Sequence, residues 1–102
     1  MLELKGFQKK YLRGLAHSLK PLVLIGREGM TVTVIDFINQ ALLDHELIKV
    51  RFNDFKEEKK SFCARIVEES KCEWVGMVGH VAIFYRPHPN PSKRTIEVPK
   101  KS

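Results

Sequence analysis

Two glycines three residues apart, Gly26 and Gly29, bracket Arg27 and Glu28 directly after the apolar run Leu22-Val23-Leu24-Ile25. Glycine lets a backbone turn tightly and come close to a bound group. Thr31, a favoured helix N-cap, follows two residues later. A strand, a glycine loop and a helix start in that order aim backbone N–H groups and the positive end of a helix dipole out of the loop. That arrangement suits the phosphates of a nucleic-acid backbone, and Arg27 adds a cation to it. Signatures of catalysis do not accompany the loop. No lysine-serine pair follows the glycines, no GxSxG occurs, and no His or Cys spacing suits a metal. His17, His45, His80 and His88 are scattered over different elements. The expectation is a binding protein that is not an enzyme, with no cofactor, no metal and no small-molecule substrate.

Composition sets the frame for that loop. A chain of 102 residues, 43% apolar and 29% charged, is long enough for one domain with one modest core. No apolar run approaches the roughly 18 residues of a membrane span, and the first residues show no apolar export leader. Cys63 and Cys72 have no paired spacing, which points to a reducing, cytoplasmic setting without disulfides. The net charge of +6 is unevenly spread. Residues 1–30 carry six Lys/Arg against two Glu, residues 31–85 seven against nine acids, and residues 86–102 five against Glu97. Basic ends on a small domain suggest an anionic polymer as partner; added solubility is the plainer alternative.

The elements that must position these groups can be read in order. Apolar Phe7, Tyr11, Leu12, Leu15 and Leu19 recur at helical spacing, so a first helix is expected over about Gly6 to Leu19, ended by Pro21. Lys9, Lys10, Arg13, His17 and Lys20 fall within a sector of roughly 100° on its other side, with no acid among them. Opposite charges usually alternate on a solvated helix face because like charges repel, so an all-basic face reads as a binding surface. Leu22 to Ile25 is expected to be a strand buried on both faces. A second helix is expected over about Thr31 to Asp44, with Val34, Ile35, Ile38, Ala41 and Leu42 inward. Leu47 to Phe52 alternates as a strand, Ile48, Val50 and Phe52 on one face, Lys49 and Arg51 with Leu47 on the other. The two cations either extend a positive surface or simply face solvent. The mixed run Lys56-Glu57-Glu58-Lys59-Lys60 reads as a solvated helix start. A third helix runs to about Ser70, with Cys63 in its apolar stripe, and Cys72 lies in a partly exposed turn. A third strand is expected within Trp74 to Tyr85, regular from about His80, and a short edge strand over Thr95 to Val98. The result is an α/β domain of order αβαβαββ with a four-stranded mixed sheet ordered 2-1-3-4, which places the glycine loop at the end of a central strand. Residues 1–98 form the domain, and 99–102 a frayed basic tail.

Several stretches together resemble the CRM domain, the chloroplast RNA splicing and ribosome maturation module, and in particular its stand-alone YhbY-like bacterial members. They are Gln8-Lys9-Lys10-Tyr11-Leu12-Arg13, Leu15-Ala16-His17-Ser18-Leu19-Lys20-Pro21, Ile25-Gly26-Arg27-Glu28-Gly29-Met30-Thr31, Asp44-His45-Glu46-Leu47-Ile48-Lys49-Val50, Gly79-His80-Val81 and Tyr85-Arg86-Pro87. The resemblance spans about Leu4 to Val98. It implies a fold akin to the C-terminal domain of translation initiation factor three. It also implies an RNA-binding protein acting on ribosomal RNA in precursor large ribosomal subunits, and a monomer is expected. The implied contacts are Gly26, Arg27 and Gly29 in the GxxG loop and the basic helix face; Lys49 and Arg51 on their strand face and Arg86 are expected to add to them. Glu28 departs from the family pattern, in which a neutral polar residue usually follows the basic one. An interaction module for an acidic protein is the alternative reading of the same basic surface.

Overall fold

The computed structural model describes residues 4–100. Helix α1 (Gly6–Ala16) is followed by β1 (Val23–Ile25), α2 (Val32–His45), β2 (Leu47–Phe52), α3 (Lys59–Ser70), β3 (Glu73–Val78) and β4 (Val81–Tyr85). A 3-10 turn, Lys56–Glu58, leads into α3. Thr31 caps α2 as its sequence suggests, its Oγ1 accepting from the Val34 N–H at 3.1 Å.

The α/β succession αβαβαββ and the four-stranded mixed sheet are those expected, but the strands are arranged differently. Their order is β1-β2-β4-β3, not 2-1-3-4. β1 pairs in parallel with β2 only, so it is an edge strand, and β2 and β4 form the centre. The reason lies in Gly79 and His80. They make a two-residue turn, with Gly79 at φ +60°, so the expected third strand is an antiparallel hairpin of two. β3 is parallel to β2 but one place removed, and β4 folds back into the gap. The stretch Thr95 to Val98 forms no strand; it is an extended strap. Of the expected frayed tail, residues 101–102 lie outside the described residues, while Pro99 is tied to α1 by the Gln8 side-chain amide at 2.9 Å.

Two crossovers of the same hand that advance in the same direction place their helices on the same face. Accordingly α2 and α3 cover one side of the sheet. Ile35, Ile38, Ala41, Leu42, Cys63 and Ile66 pack there on Val23, Ile25, Ile48, Val50, Phe52, Ala82 and Phe84. Helix α1 lies on the other side, where Leu12 and Ala16 meet Leu47, Val75, Ile83 and Tyr85, with Ile96 and Val98 of the strap alongside. Only these two α1 side chains are fully inward. Tyr11, Leu15 and Leu19 stay about 40% exposed, because α1 ends at Ala16 and β1 lies at the edge rather than beneath them. Leu24 is 57% exposed for the same reason, which corrects the reading of β1 as buried on both faces.

The link between α2 and β2 is a single residue, Glu46, which is 2% exposed and adopts φ +64°. That conformation usually falls to glycine. The side chain explains the exception. Its Oε2 accepts from the His88 N–H at 2.8 Å, and Oε1 accepts from the Thr95 N–H at 2.8 Å, the Thr95 hydroxyl at 3.1 Å and the Ile96 N–H at 3.3 Å. Burial alone would raise the carboxyl pKa, but these hydrogen bonds outweigh it and hold the group below its ordinary 4.5. A depressed carboxylate contributes stability above its unfolded pKa and loses it as pH falls through the folded value. Glu46→Ala should cost about 3 kcal/mol in urea unfolding at neutral pH. Glu46→Gly, which suits the backbone, should still cost roughly 2 kcal/mol or more. Both variants should show a weaker loss of stability than the parent between about pH 5 and pH 2.

Cys63 and Cys72 are both free and buried, so Cys72 is not the partly exposed residue expected; it turns inward from the start of β3 to meet α3. Burial pushes each thiol up to about 12. Neither should react with a thiol-specific disulfide reagent at pH 8 in the native protein, and both should react at once in denaturing urea.

Candidate functional site

The expected site residues divide into four groups. Pairing of Lys49 with Ile83 and of Arg51 with Val81 places those two cations on the α1 side of the sheet, because directly opposed residues share a face. Helix α1 covers only part of this side. Beyond Ala16 the chain turns off the helix, and the corner of the sheet holding Arg51, Val78 and Val81 is left bare. Arg13 from α1, His17 just past its end, Pro21, Lys49 and Arg51 surround this corner, with Val78, Val81 and Ile83 below them, in an open cleft of about 350 Å³. Four of the expected site residues therefore converge on one place.

Two of the four are held rigidly. The Arg13 guanidinium donates to the Val75 carbonyl at 2.9 Å, and its stem lies across Gly76, where an added Cβ would come within 2.5 Å of Arg13 Cδ. The register shift between Trp74 and Gly76 turns the Val75 carbonyl toward it. The Lys49 ammonium donates to the Leu19 carbonyl at 2.9 Å and the His17 carbonyl at 3.4 Å, which ties down the turn after α1. The side chains of His17 and Arg51 make no hydrogen bond among the described residues, so their donors face outward. Lys10 is exposed one turn before Arg13 and extends the cationic edge, and Lys9 beside it is half-buried. Lys20 lies apart, on a neighbouring apolar cleft of about 380 Å³ with Leu15, Leu19, Leu22 and His45.

The glycine loop forms the second group. It joins β1 to α2 at the end of the sheet where Ile25 pairs with Phe52, next to the strand end carrying Arg51. The Gly29 N–H donates to the Gly26 carbonyl at 3.0 Å, closing a turn with Arg27 and Glu28 exposed at its tip. The amides of Arg27 and Glu28 meet no acceptor among the described residues. Glu28 thus points into solvent, and its acidity falls on the side chain, not on the backbone donors. The two glycines differ. Gly29 has φ +71°, and an added Cβ would lie 3.3 Å from the Phe55 ring; Gly26 has an ordinary φ and open space around it. The fold requires the second glycine but not the first.

Arg86 is the outlier. Its guanidinium donates to the Asn39 side chain at 2.9 Å and to the Asn39 and Ser70 carbonyls at 3.0 and 2.7 Å, on the face opposite the cleft. It joins α2 to the C-terminus of α3.

A cation cluster was illegible in the sequence. Lys59 donates to the Gly79 carbonyl at 2.9 Å and lies 3.2 Å from His80 Nδ1. Local desolvation and then the charges of Lys59, Lys56 and Arg51 lower the His80 pKa, so the neutral ring can accept from the ammonium. Reading Gly79-His80 as a hairpin turn instead of a strand break would have placed His80 at this end of the sheet. Among the described residues no three His, Cys, Asp or Glu side chains gather as metal ligands, and no helix is long and apolar enough to cross a membrane.

Residues 4–86 match the CRS1/YhbY (CRM) domain. The chain belongs to this family. Among its CRM relatives, an RNA-binding protein of Haemophilus influenzae is 39% identical over 99% of this chain and 100% of its own length. The probable RNA-binding protein YqeI of Bacillus subtilis is 32% identical, covering 94% of this chain and 99% of its own. The solution structure of the hypothetical protein SAV1595 from Staphylococcus aureus superposes with a TM-score of 0.79 at 35% identity, over 95% of this chain and all of that one. In this CRM domain the unequal glycines make a direct prediction. Gly29→Ala should lower stability in urea unfolding by about 1–2 kcal/mol, whereas Gly26→Ala should change it by no more than about 0.5 kcal/mol.

Proposed function

We propose that this CRM protein binds RNA through the cleft formed by Arg13, His17, Lys49 and Arg51 together with the Gly26–Gly29 loop, Lys10 and Lys9. The observation that carries this reading is the convergence of the Arg13, Lys49 and Arg51 cations, with His17 beside them, on one uncovered corner of the sheet, with no carboxylate among the lining residues. The relatives' names support the same partner. Phosphate and sugar contacts supply most of the affinity in such a surface and fix orientation. Rigid Arg13 and Lys49 set the shape of the rim, while Arg51 and His17 have donors to spare. Gly26, which the fold does not require, lets the loop amides approach a phosphate closely. Arg86 acts here as a fold-holding residue and Lys20 as a neighbour of the surface.

The ligand we propose is ribosomal RNA in precursor large ribosomal subunits, with the protein acting as a monomeric assembly factor without catalysis. The apolar cleft beside Lys20 and His45 favours a second reading, a protein partner docked next to the RNA. Arg51→Ala is the cleanest probe of the first, since Arg51 makes no hydrogen bond that holds the fold. It should reduce the slope of log affinity against log salt by about one and weaken binding several-fold at low salt. An unchanged slope would remove Arg51 from the interface. Crosslinking in cells followed by sequencing of attached RNA checks the ribosomal assignment; reads spread over messenger RNA would overturn it.

A further inference from the structure

The cleft has two chemistries. Its rim carries Arg13, His17, Lys49 and Arg51, while its floor is Val78 and Val81, with the buried Ile83 at its inner end. Phosphate contacts explain the rim and leave the floor unexplained. Val78 is 70% exposed at the end of β3, paired with Val81, where a polar residue would be at least as well tolerated. The Arg13 stem lies across Gly76 and walls one side of the floor. A continuous duplex presents stacked bases inside and phosphates outside, so it reaches the rim and leaves the floor empty. An unstacked nucleotide offers a flat apolar face with an anionic edge, which matches floor and rim together. A volume of about 350 Å³ lies in the range that encloses a small ligand.

From this match, and resting on the RNA-binding reading above, we propose that the cleft receives one unpaired base of the bound RNA. The base lies over Val78 and Val81, and its flanking phosphates meet Arg13, His17, Lys49 and Arg51. The protein therefore selects RNA with a bulge, loop or junction over continuous duplex.

The test uses the full chain and two short RNA hairpins of equal charge, one with a single bulged 2-aminopurine and one fully paired. Wild type should bind the bulged hairpin about tenfold more tightly than the paired one, and the 2-aminopurine fluorescence should change on binding. Val78→Asn combined with Val81→Thr removes apolar floor without altering charge and should bring the affinity ratio toward one. Equal affinity of wild type for both hairpins, an unaltered 2-aminopurine signal, or a ratio that survives the double substitution would overturn the proposal. An acidic, leucine-containing peptide that displaces the bulged RNA from wild type but fails on the variant would assign the floor to a protein and also overturn it. Binding to neither hairpin would instead defeat the RNA reading itself, which separates the two failures.

Discussion

The Glu46 carboxylate fixes how the two halves of this chain meet. Its backbone ends α2 and begins β2 with nothing in between, and its carbonyl accepts from the Arg86 N–H at 2.8 Å. Its side chain gathers the amides of His88, Thr95 and Ile96. The strap so anchored lays Ile96 and Val98 beside the α1 cluster, and Gln8 then closes on Pro99. A buried charge with four donors is favourable only when all of them are in place. The position of α1, and with it the opening over the sheet, thus depends on one acid some 30 residues away in the chain from the helix it helps to seat.

A short α1 on a sheet whose first strand is at the edge leaves one corner uncovered. That incompleteness is what makes a surface. Had α1 run to Leu19 over a central β1, Leu15, Leu19 and Leu24 would have been core and Arg51 would have been roofed over. Instead the apolar floor and the cations share a corner that remains open. Lys49 shows the economy of the arrangement: one ammonium closes the turn after α1 and also forms part of the cationic rim. The β3 irregularity at Val75 does the same for Arg13, converting a flexible surface arginine into a fixed one. Donors fixed in this way lose less freedom when a ligand arrives.

The glycine loop acquires a different weight in this setting. It is not at a switch point in the middle of a parallel sheet, where a ligand could sit between two diverging loops. It projects from an edge strand, next to the strand end that carries Arg51 and the hairpin tip that carries His80. Its free amides and Arg27 therefore extend a surface already made by α1 and β2. Glu28 sits at the turn tip, where its side chain can leave the backbone donors unobstructed.

Much of this was legible in residue order. The alternation in β2, the periodicity and cap of α2, and the separation of Lys49 and Arg51 from Ile48, Val50 and Phe52 follow from local geometry, since side-chain direction in a strand or helix is set by spacing alone. So too does the presence of a basic face on α1 and of a glycine loop before α2. Pairing between strands is set by contacts distant in sequence, and a glycine within an apolar stretch reads equally as a break or as a turn. For that reason Gly79 and His80 concealed a hairpin, β1 was placed at the centre, and Thr95 to Val98 passed for a strand. The same limit hid the partners of Arg86 and Glu46, both of which are settled by donors and acceptors from 16 to 50 residues away. The sequence by itself determined which residues are cationic, which elements carry them and which face of each element they occupy. Only tertiary packing decided that Arg13, His17, Lys49 and Arg51 meet over a bare apolar floor while Arg86 is tied between α2 and α3, because burial and proximity belong to the folded chain as a whole.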